Sequence, residues 1–229
     1  MSNRYLPQIR LQEIGKSGQE RLGTSRVLII GCGALGSPIA MYLAGAGIGN
    51  LTVADFDNVE LSNLHRQVFY YESETGKPKA ELLSSKINAL NSEIEIEFIN
   101  KIVTRRLLEQ LTIKPDIIVD AADNPATTYL LDNFCYENAI PLVIGGVSGW
   151  NAQVFTYIPG SYRYSDIFSA PSGNTGVLPC SLTGIVGPSA NFAASIQSAQ
   201  VIKLLLDKAG KDSSLITANL LSGSFNLIS

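Results

Sequence analysis

The run VLIIGCGALG holds three glycines, Gly31, Gly33 and Gly36, in G-x-G-x-x-G order. Glycine is required where a backbone turns tightly and comes close to a phosphate, and a helix starting there adds a field that favours anions. Asp55 follows 19 positions after Gly36, where a nucleotide-binding fold places the carboxylate that holds a ribose hydroxyl. In the next stretch, LSNLHRQ, Asn63 and Arg66 are placed to reach phosphates. The fixed fork of an arginine matches and neutralises phosphate charge. Lys79, in GKPKAE, is a second cation, close to a predicted helix start. Asp123 closes DIIVDAAD. A carboxylate at the carboxyl end of a parallel strand points into the ligand crevice, where it can hold Mg²⁺ between phosphates. Two cations, one magnesium ligand and no protein nucleophile suit phosphate or nucleotidyl transfer, in which placement and charge compensation supply the catalysis. Taken singly, each of these residues reads more readily as a solvated surface charge. Their position at successive predicted strand ends is what joins them.

The elements that must carry them follow from periodicity. VLIIG, after Arg26, is a β-branched run typical of a strand buried on both faces, and GCGALGSPIAMYLAGAG reads as turn plus helix. LTVAD (51–55) is a second strand. After Pro78, KAELLSSKINAL spaces Leu82, Leu83, Ile87 and Leu90 as a helix. IEIEFI (94–99) alternates as a strand, 104–111 is a short helix, and DIIVDAA (116–122) is another buried strand. Asn124-Pro125 opens a helix through about Glu137, and PLVIGG (141–146) is the next strand. Strands alternating with helices predict an α/β, doubly wound and mostly parallel sheet of the Rossmann kind over about 26–146, with helices on both faces. AQVFTYIP (152–159) extends the sheet, in an antiparallel sense. From Ile167 to Ile202 no residue is charged. The first half of that stretch, rich in Gly, Pro and Ser, predicts a long crossing loop, and the second half a buried C-terminal helix. The tail from Leu215 suits two short strands.

Composition narrows the function. The chain has 229 residues, 45% apolar and 16% charged, enough for a sizeable core without staples. A net charge of −3 with no basic stripe excludes nucleic acid as the main partner. Three cysteines without C-x-x-C spacing argue for a reducing compartment, and the N-terminus has no signal-peptide core, so the cytoplasm is the expected location. The uncharged stretch 27–49 is long enough to span a membrane, but six glycines and Pro38 make it a strand, a turn and a helix. Two features set the chain apart from nicotinamide enzymes. Neither a second mononucleotide unit nor an obvious hydride-transfer acid is visible, and His65 is the one histidine.

The sequence RYLPQI…GxGxxG…GNLTVADFDNVELSNLHRQ…GKPKAE…DAADN resembles the ThiF/MoeB/HesA family, relatives of the ubiquitin-activating enzymes, over nearly the whole chain. The resemblance implies a single adenylation domain over 1–229. Its nucleotide core would be about 26–146, and the carrier-binding sheet, crossover loop and helix about 147–229. It implies ATP- and Mg²⁺-dependent adenylation of the C-terminal glycine of a small ubiquitin-like sulfur carrier ending in Gly-Gly, as a step toward a thiocarboxylate. Asp55 would bind the ATP ribose. Asn63 and Arg66 would hold the phosphates with Gln67 beside them, Lys79 would stabilise charge at the α-phosphate, and Asp123, next to Asn124, would bind Mg²⁺. Ala34, Asp57 and Ser62, interspersed among these, are counted with the nucleotide-contacting set. Cys180, on the Gly/Pro-rich loop, matches a family cysteine that links to the carrier or carries sulfur. A homodimer is implied, with the helix at 188–206, uncharged as far as Ile202, a candidate for its buried packing, and a sulfurtransferase is a possible further partner.

The chain also departs from the family pattern. Ser161 and Tyr164, in GSYRYSD, stand where many members have the first pair of zinc-binding cysteines, and the second pair is missing, so no zinc is expected. Pro7 replaces the second arginine of the family's RYxRQ block, so either Arg4 or Arg10 substitutes or the site works with one cation fewer. Cys180 and the lack of a rhodanese-like extension favour thiamine thiazole synthesis over molybdopterin synthesis. A non-catalytic nucleotide-binding scaffold and a nicotinamide-dependent oxidoreductase remain as rival readings, separable by whether ATP–Mg²⁺ or NAD(H) binds.

Overall fold

The structure, a computed structural model, describes residues 3–168 and 184–228. Two helices, α1 (Leu6–Ile9) and α2 (Gly15–Thr24), precede the sheet. Nothing in the polar N-terminal stretch had signalled them. The VLII run forms β1 (Arg26–Ile30), buried at its last four positions. The Gly-rich turn then opens α3 (Gly36–Ala46), which ends where Gly47 takes a left-handed φ of 79°. The uncharged stretch is therefore a strand and a helix of 11 residues. No helix among the described residues is long and apolar enough to cross a membrane. The chain continues through β2 (Asn50–Ala54), α4 (Lys79–Leu90), β3 (Glu95–Ile99), α5 (Arg105–Glu109), β4 (Ile117–Asp120), α6 (Pro125–Asn138) and β5 (Leu142–Ser148). It closes with β6 (Asn151–Tyr157), a short α7 (Tyr164–Ile167), the 19-residue helix α8 (Gly187–Leu205), β7 (Ser214–Asn219) and β8 (Ser224–Ile228).

One eight-stranded sheet runs β3-β2-β1-β4-β5-β6-β7-β8. The first five of these strands are parallel and the last three antiparallel. The expected doubly wound α/β fold is present. A second mononucleotide unit does not follow β5, because the sheet turns back on itself there. Alternation of side chains divides the interior. Val27, Ile29, Val53 and Val119 pack with α3, α4 and α8 on one face, whereas Leu28, Ile30, Ile118 and Leu142 pack with α5 and α6 on the other. Burying each such side chain is worth roughly 1.5–3 kcal/mol, so the parallel core is held from both sides.

The order of strands reverses between β1 and β4. In open α/β sheets the crevice at that switch point, beyond the carboxyl ends of the strands, is where ligands bind. The Gly-rich turn leaves β1 there, and the segment carrying Asp123 leaves β4 beside it.

The packing of helix α8 explains why Lys203 is its one charged residue. Ala190, Ala193, Ala194 and Val201 lie in the core against the sheet and α3. Gln197 is fully buried and donates to the backbone carbonyls of Asp120 (2.9 Å) and Val143 (3.3 Å). A side chain at Gly145 would strike this glutamine, its added carbon 2.1 Å from Oε1. The apolarity of α8 is thus used within one chain and carries no argument for a dimer.

Candidate active site

Two of the three motif glycines are fixed by the protein's own packing. Gly31 has φ +95°, and a Cβ there would lie 2.6 Å from the Ala121 carbonyl oxygen. At Gly36 a Cβ would sit 1.7 Å from the carbonyl oxygen of Gly31. Gly33 differs, since a Cβ would meet only the tip of Gln67, 3.3 Å away at Nε2. Its bareness is not demanded by the fold and is available for the close approach of a ligand. Ala34 follows in the same turn, half-buried. No side chain caps α3; the Ser37 N–H is taken by the Gly33 carbonyl (3.1 Å) and the Ile39 N–H by the Leu35 carbonyl (3.2 Å), with Pro38 between them.

Asp55 lies one residue past the end of β2. Its Oδ2 accepts from the N–H of Cys32 within the turn (2.6 Å), and its Oδ1 from the N–H of Asp57 (2.8 Å). Burial raises the Asp55 pKa above its ordinary value, while these two amides and Lys79 pull it back. Asp57 in turn accepts the Lys79 N–H at its carbonyl (2.9 Å) and the Lys79 ammonium at Oδ2 (3.1 Å). A single bridge between Asn58 and Pro78 aligns the two segments. Lys79 opens α4 and is 3% exposed, so its ammonium is held beside the turn with a half-exposed Asp57 as counter-ion. Gly33, Asp55, Asp57, Gln67 and Lys79 are therefore brought together.

The rim is looser. Ser62 and Asn63 fall in a 3₁₀ turn (Leu61–Asn63), and both donate to Glu60 Oε2, at 3.2 and 3.3 Å. Asn63 Oδ1 accepts from Arg66 Nη2 (2.6 Å). The only other described contact of the Arg66 guanidinium is with His65 Nε2, 3.4 Å from Nη1. No carboxylate among the described residues neutralises Arg66. The start of α8 presses on this loop, for a Cβ at Gly187 would be 3.0 Å from the His65 carbonyl oxygen and 3.5 Å from the Arg66 Cα.

On the β4 side, the strand ends at Asp120 rather than at residue 122, and Asp123 stands exposed in the turn beyond it. Asn124 caps α6, accepting the Thr127 N–H at Oδ1 (2.8 Å) with Pro125 as the first helical residue. That cap accounts for the residue type without a ligand. Asp120 is fully buried. Its Oδ1 accepts the Ala122 N–H (3.1 Å), and its Oδ2 has no hydrogen-bond partner among the described residues. Burial pushes its pKa up from 3.8 to about 6, and the charge of Asp123 adds to the rise. The surplus of negative charge beside β4 and the exposed carboxylate of Asp123 fit Mg²⁺, which takes one or two carboxylates with phosphate oxygens. Among the described residues no group of three His, Cys, Asp or Glu side chains could hold a metal alone.

Several expected residues lie elsewhere. Cys180 falls outside the described residues. Cys32 and Cys135 are buried, and burial raises both thiol pKa values. Ser161 Oγ accepts from the Ser213 N–H (2.9 Å), and the Tyr164 ring packs against Phe155, Phe168 and Tyr129. Arg163, between them, pairs with the buried Asp132 (2.8 Å). Arg4 donates to the Leu90 carbonyl at the far end of α4 from Lys79, Arg10 is exposed just after α1, and Pro7 sits in α1.

Sequence reasoning missed Asp120 and Tyr70. A lone aspartate within the apolar run IIVDAA was a usable signal for the first. Tyr70 lies in a loop without periodicity and gave none.

The Gly-rich turn, Asp55 and the buried Lys79 thus meet at the switch point of a doubly wound sheet. The sequence profile of the ThiF family matches residues 5–228. The chain belongs to the ThiF family. Its relatives include the SAMP-activating enzyme E1 of Haloferax volcanii, 38% identical over 90% of this chain and 76% of that protein. The sulfur carrier protein ThiS adenylyltransferase of Escherichia coli is 34% identical over 88% of this chain and 80% of that one. The Adenylyltransferase and sulfurtransferase MOCS3 of Dictyostelium discoideum is 42% identical over 88% of this chain, and the match spans only 48% of the relative's length. Among solved structures, E. coli MccB with ATP superposes with a TM-score of 0.84 at 25% identity, over 100% of this chain and 72% of that one. The three sequence relatives carry adenylyltransferase or E1 names.

Proposed function

We propose that this ThiF-family protein uses ATP to adenylate the C-terminal glycine of a small ubiquitin-like sulfur carrier, releasing pyrophosphate. The observation that carries this reading is the buried Lys79 ammonium held beside an open Gly33 turn, together with relatives named as adenylyltransferases of ThiS and of molybdopterin synthase. The carrier's terminal carboxylate attacks the α-phosphorus. A C–O–P bond forms, the bond from the α-phosphorus to the bridging oxygen breaks, and pyrophosphate departs with the electron pair. The protein's task is to hold two anions against each other.

Asp55 takes the ribose through the lone pairs that its two amide bonds leave free. Lys79 exchanges Asp57 for a phosphate oxygen as charge builds at the α-phosphorus. Arg66, with Asn63 orienting its fork, and Gln67 hold the outer phosphates. Mg²⁺ on Asp123 supplies further neutralisation of the triphosphate when bound. Cys180 acts after adenylation, in sulfur loading. We favour a ThiS-like carrier and the thiamine pathway, with a MoaD-like carrier as the alternative. A cytoplasmic homodimer is the working form, and a separate sulfurtransferase supplies what the longer MOCS3 relatives carry by name.

The test is ATP–pyrophosphate exchange with ThiS-type and MoaD-type carriers ending in Gly-Gly. Arg66→Ala and Asp123→Ala should each lower exchange at least about a hundredfold, while Cys180→Ala retains it. Exchange that survives both charge removals would overturn the reading.

A further inference from the structure

Tyr70 is 4% exposed and belongs to no helix or strand. Its hydroxyl donates to the Cys32 carbonyl at 2.7 Å, with the Lys79 carbonyl 3.3 Å away. These carbonyls belong to the two arms of the site. Cys32 lies inside the Gly-rich turn and is the residue whose N–H binds Asp55. Lys79 opens α4 and bears the buried ammonium. Among the described residues no other side chain hydrogen-bonds to both arms. Burial, reinforced by the negative neighbours Asp55 and Glu74, raises the phenol pKa far above its ordinary value, so the hydroxyl stays a donor.

We infer that Tyr70 is a positioning residue: its hydroxyl ties the backbone of Lys79 to the phosphate-binding turn and so sets how the ammonium meets the nucleotide. The inference rests on the nucleotidyl-transfer reading only for the identity of that nucleotide. The Asp55 and Asp57 contacts join the same two arms only through a third segment, whereas the phenol bridges them directly. The loss would fall on the step that depends on the lysine's placement, since the Asp55 contacts to Cys32 and Asp57 do not involve the phenol. Phenylalanine fills the same volume and removes only the hydroxyl, leaving a buried carbonyl short of its partner.

An acyl-phosphate derivative of ATP tests this without a carrier. The deprotonated amine of a lysine at the phosphates adds to the acyl carbonyl, an amide bond forms, the acyl C–O bond breaks, and ATP leaves. With Tyr70→Phe, acylation of Lys79 should slow about tenfold, while affinity for a fluorescent ATP analogue changes less than about twofold. In exchange assays kcat should fall by a similar factor with KM for ATP held, and adding Tyr70→Phe to Lys79→Ala should cost nothing more. An unchanged acylation rate overturns the inference. So does an equal loss of nucleotide affinity, or a fall that adds in full to Lys79→Ala, because each marks a general structural role. Wild-type protein that is labelled at Lys79 yet exchanges with no carrier refutes the nucleotidyl-transfer reading, and the labelling rates then decide the part of Tyr70 by themselves. Failure of the probe to reach Lys79 in the wild type overturns both.

Discussion

Replacing Asp120 with asparagine should stabilise the protein at neutral pH and leave it unchanged in acid. The carboxyl is fully buried at the end of β4, with Oδ2 unpartnered among the described residues. Burial, helped by Asp123, raises its pKa from 3.8 to about 6, while Thr128 and the Ala122 amide work against the rise. The sign follows from proton uptake. Below the unfolded pKa the group is protonated in both states and costs nothing. As pH climbs toward 6 the unfolded chain has lost its proton while the folded protein keeps it, so stability falls with rising pH. Above 6 the penalty levels off at about 3 kcal/mol, taking about 1.36 kcal/mol for each pH unit. Asparagine keeps an acceptor for the Ala122 N–H and cannot ionise. For a chain of this length the gain corresponds to roughly 6–12 °C in Tm. Thermal melts of both proteins from pH 4 to pH 8 measure it. Other groups titrate in both and cancel in the difference, so the gap should open between pH 4 and 6 and then stay constant. A gap independent of pH would refute the raised pKa, and a variant less stable than wild type at pH 8 would show that the carboxylate serves the fold in its charged form.

The motif glycines should separate by cost. Gly36→Ala sets a carbon against the Gly31 carbonyl oxygen at 1.7 Å and should destabilise by more than about 3 kcal/mol in urea titrations. Gly33→Ala meets only a flexible side-chain end, so it should melt within about 2 °C of wild type while losing affinity for ATP in calorimetric titration. Asp57→Asn leaves the buried Lys79 ammonium without its counter-ion and should destabilise the nucleotide-free protein by about 2 kcal/mol, given that Asp57 is half-exposed. Because phosphate no longer competes with the carboxylate, saturating ATP should raise the Tm of that variant further than it raises the wild type. A smaller ATP-induced rise would mean that Asp57 itself holds the nucleotide.

What the sequence made legible, and what it hid, divides along the range of the interactions involved. Strand β1, the turn and α3 could be read because one short segment contains the period, the glycines and the flanking acid, and the structure places them together through Cys32 and Asp55. Lys79 was legible as a charge near a helix start. Its burial and its pairing with Asp57 were not, because they depend on two loops meeting across 22 residues. The same limit explains Asn124, whose type is satisfied locally by capping α6, and α8, whose single charge, Lys203, suited a subunit interface until the sheet beneath it, with Gln197 buried over β4, was in view. Tyr70 marks the far end of that scale. Its partners are two backbone carbonyls, and a carbonyl carries no residue identity for a motif to record. Position-setting contacts of this kind escape sequence patterns by their nature, since every residue offers the same acceptor. The chemistry-bearing side chains of such a site are therefore the legible part, and the groups that aim them must be read from the fold.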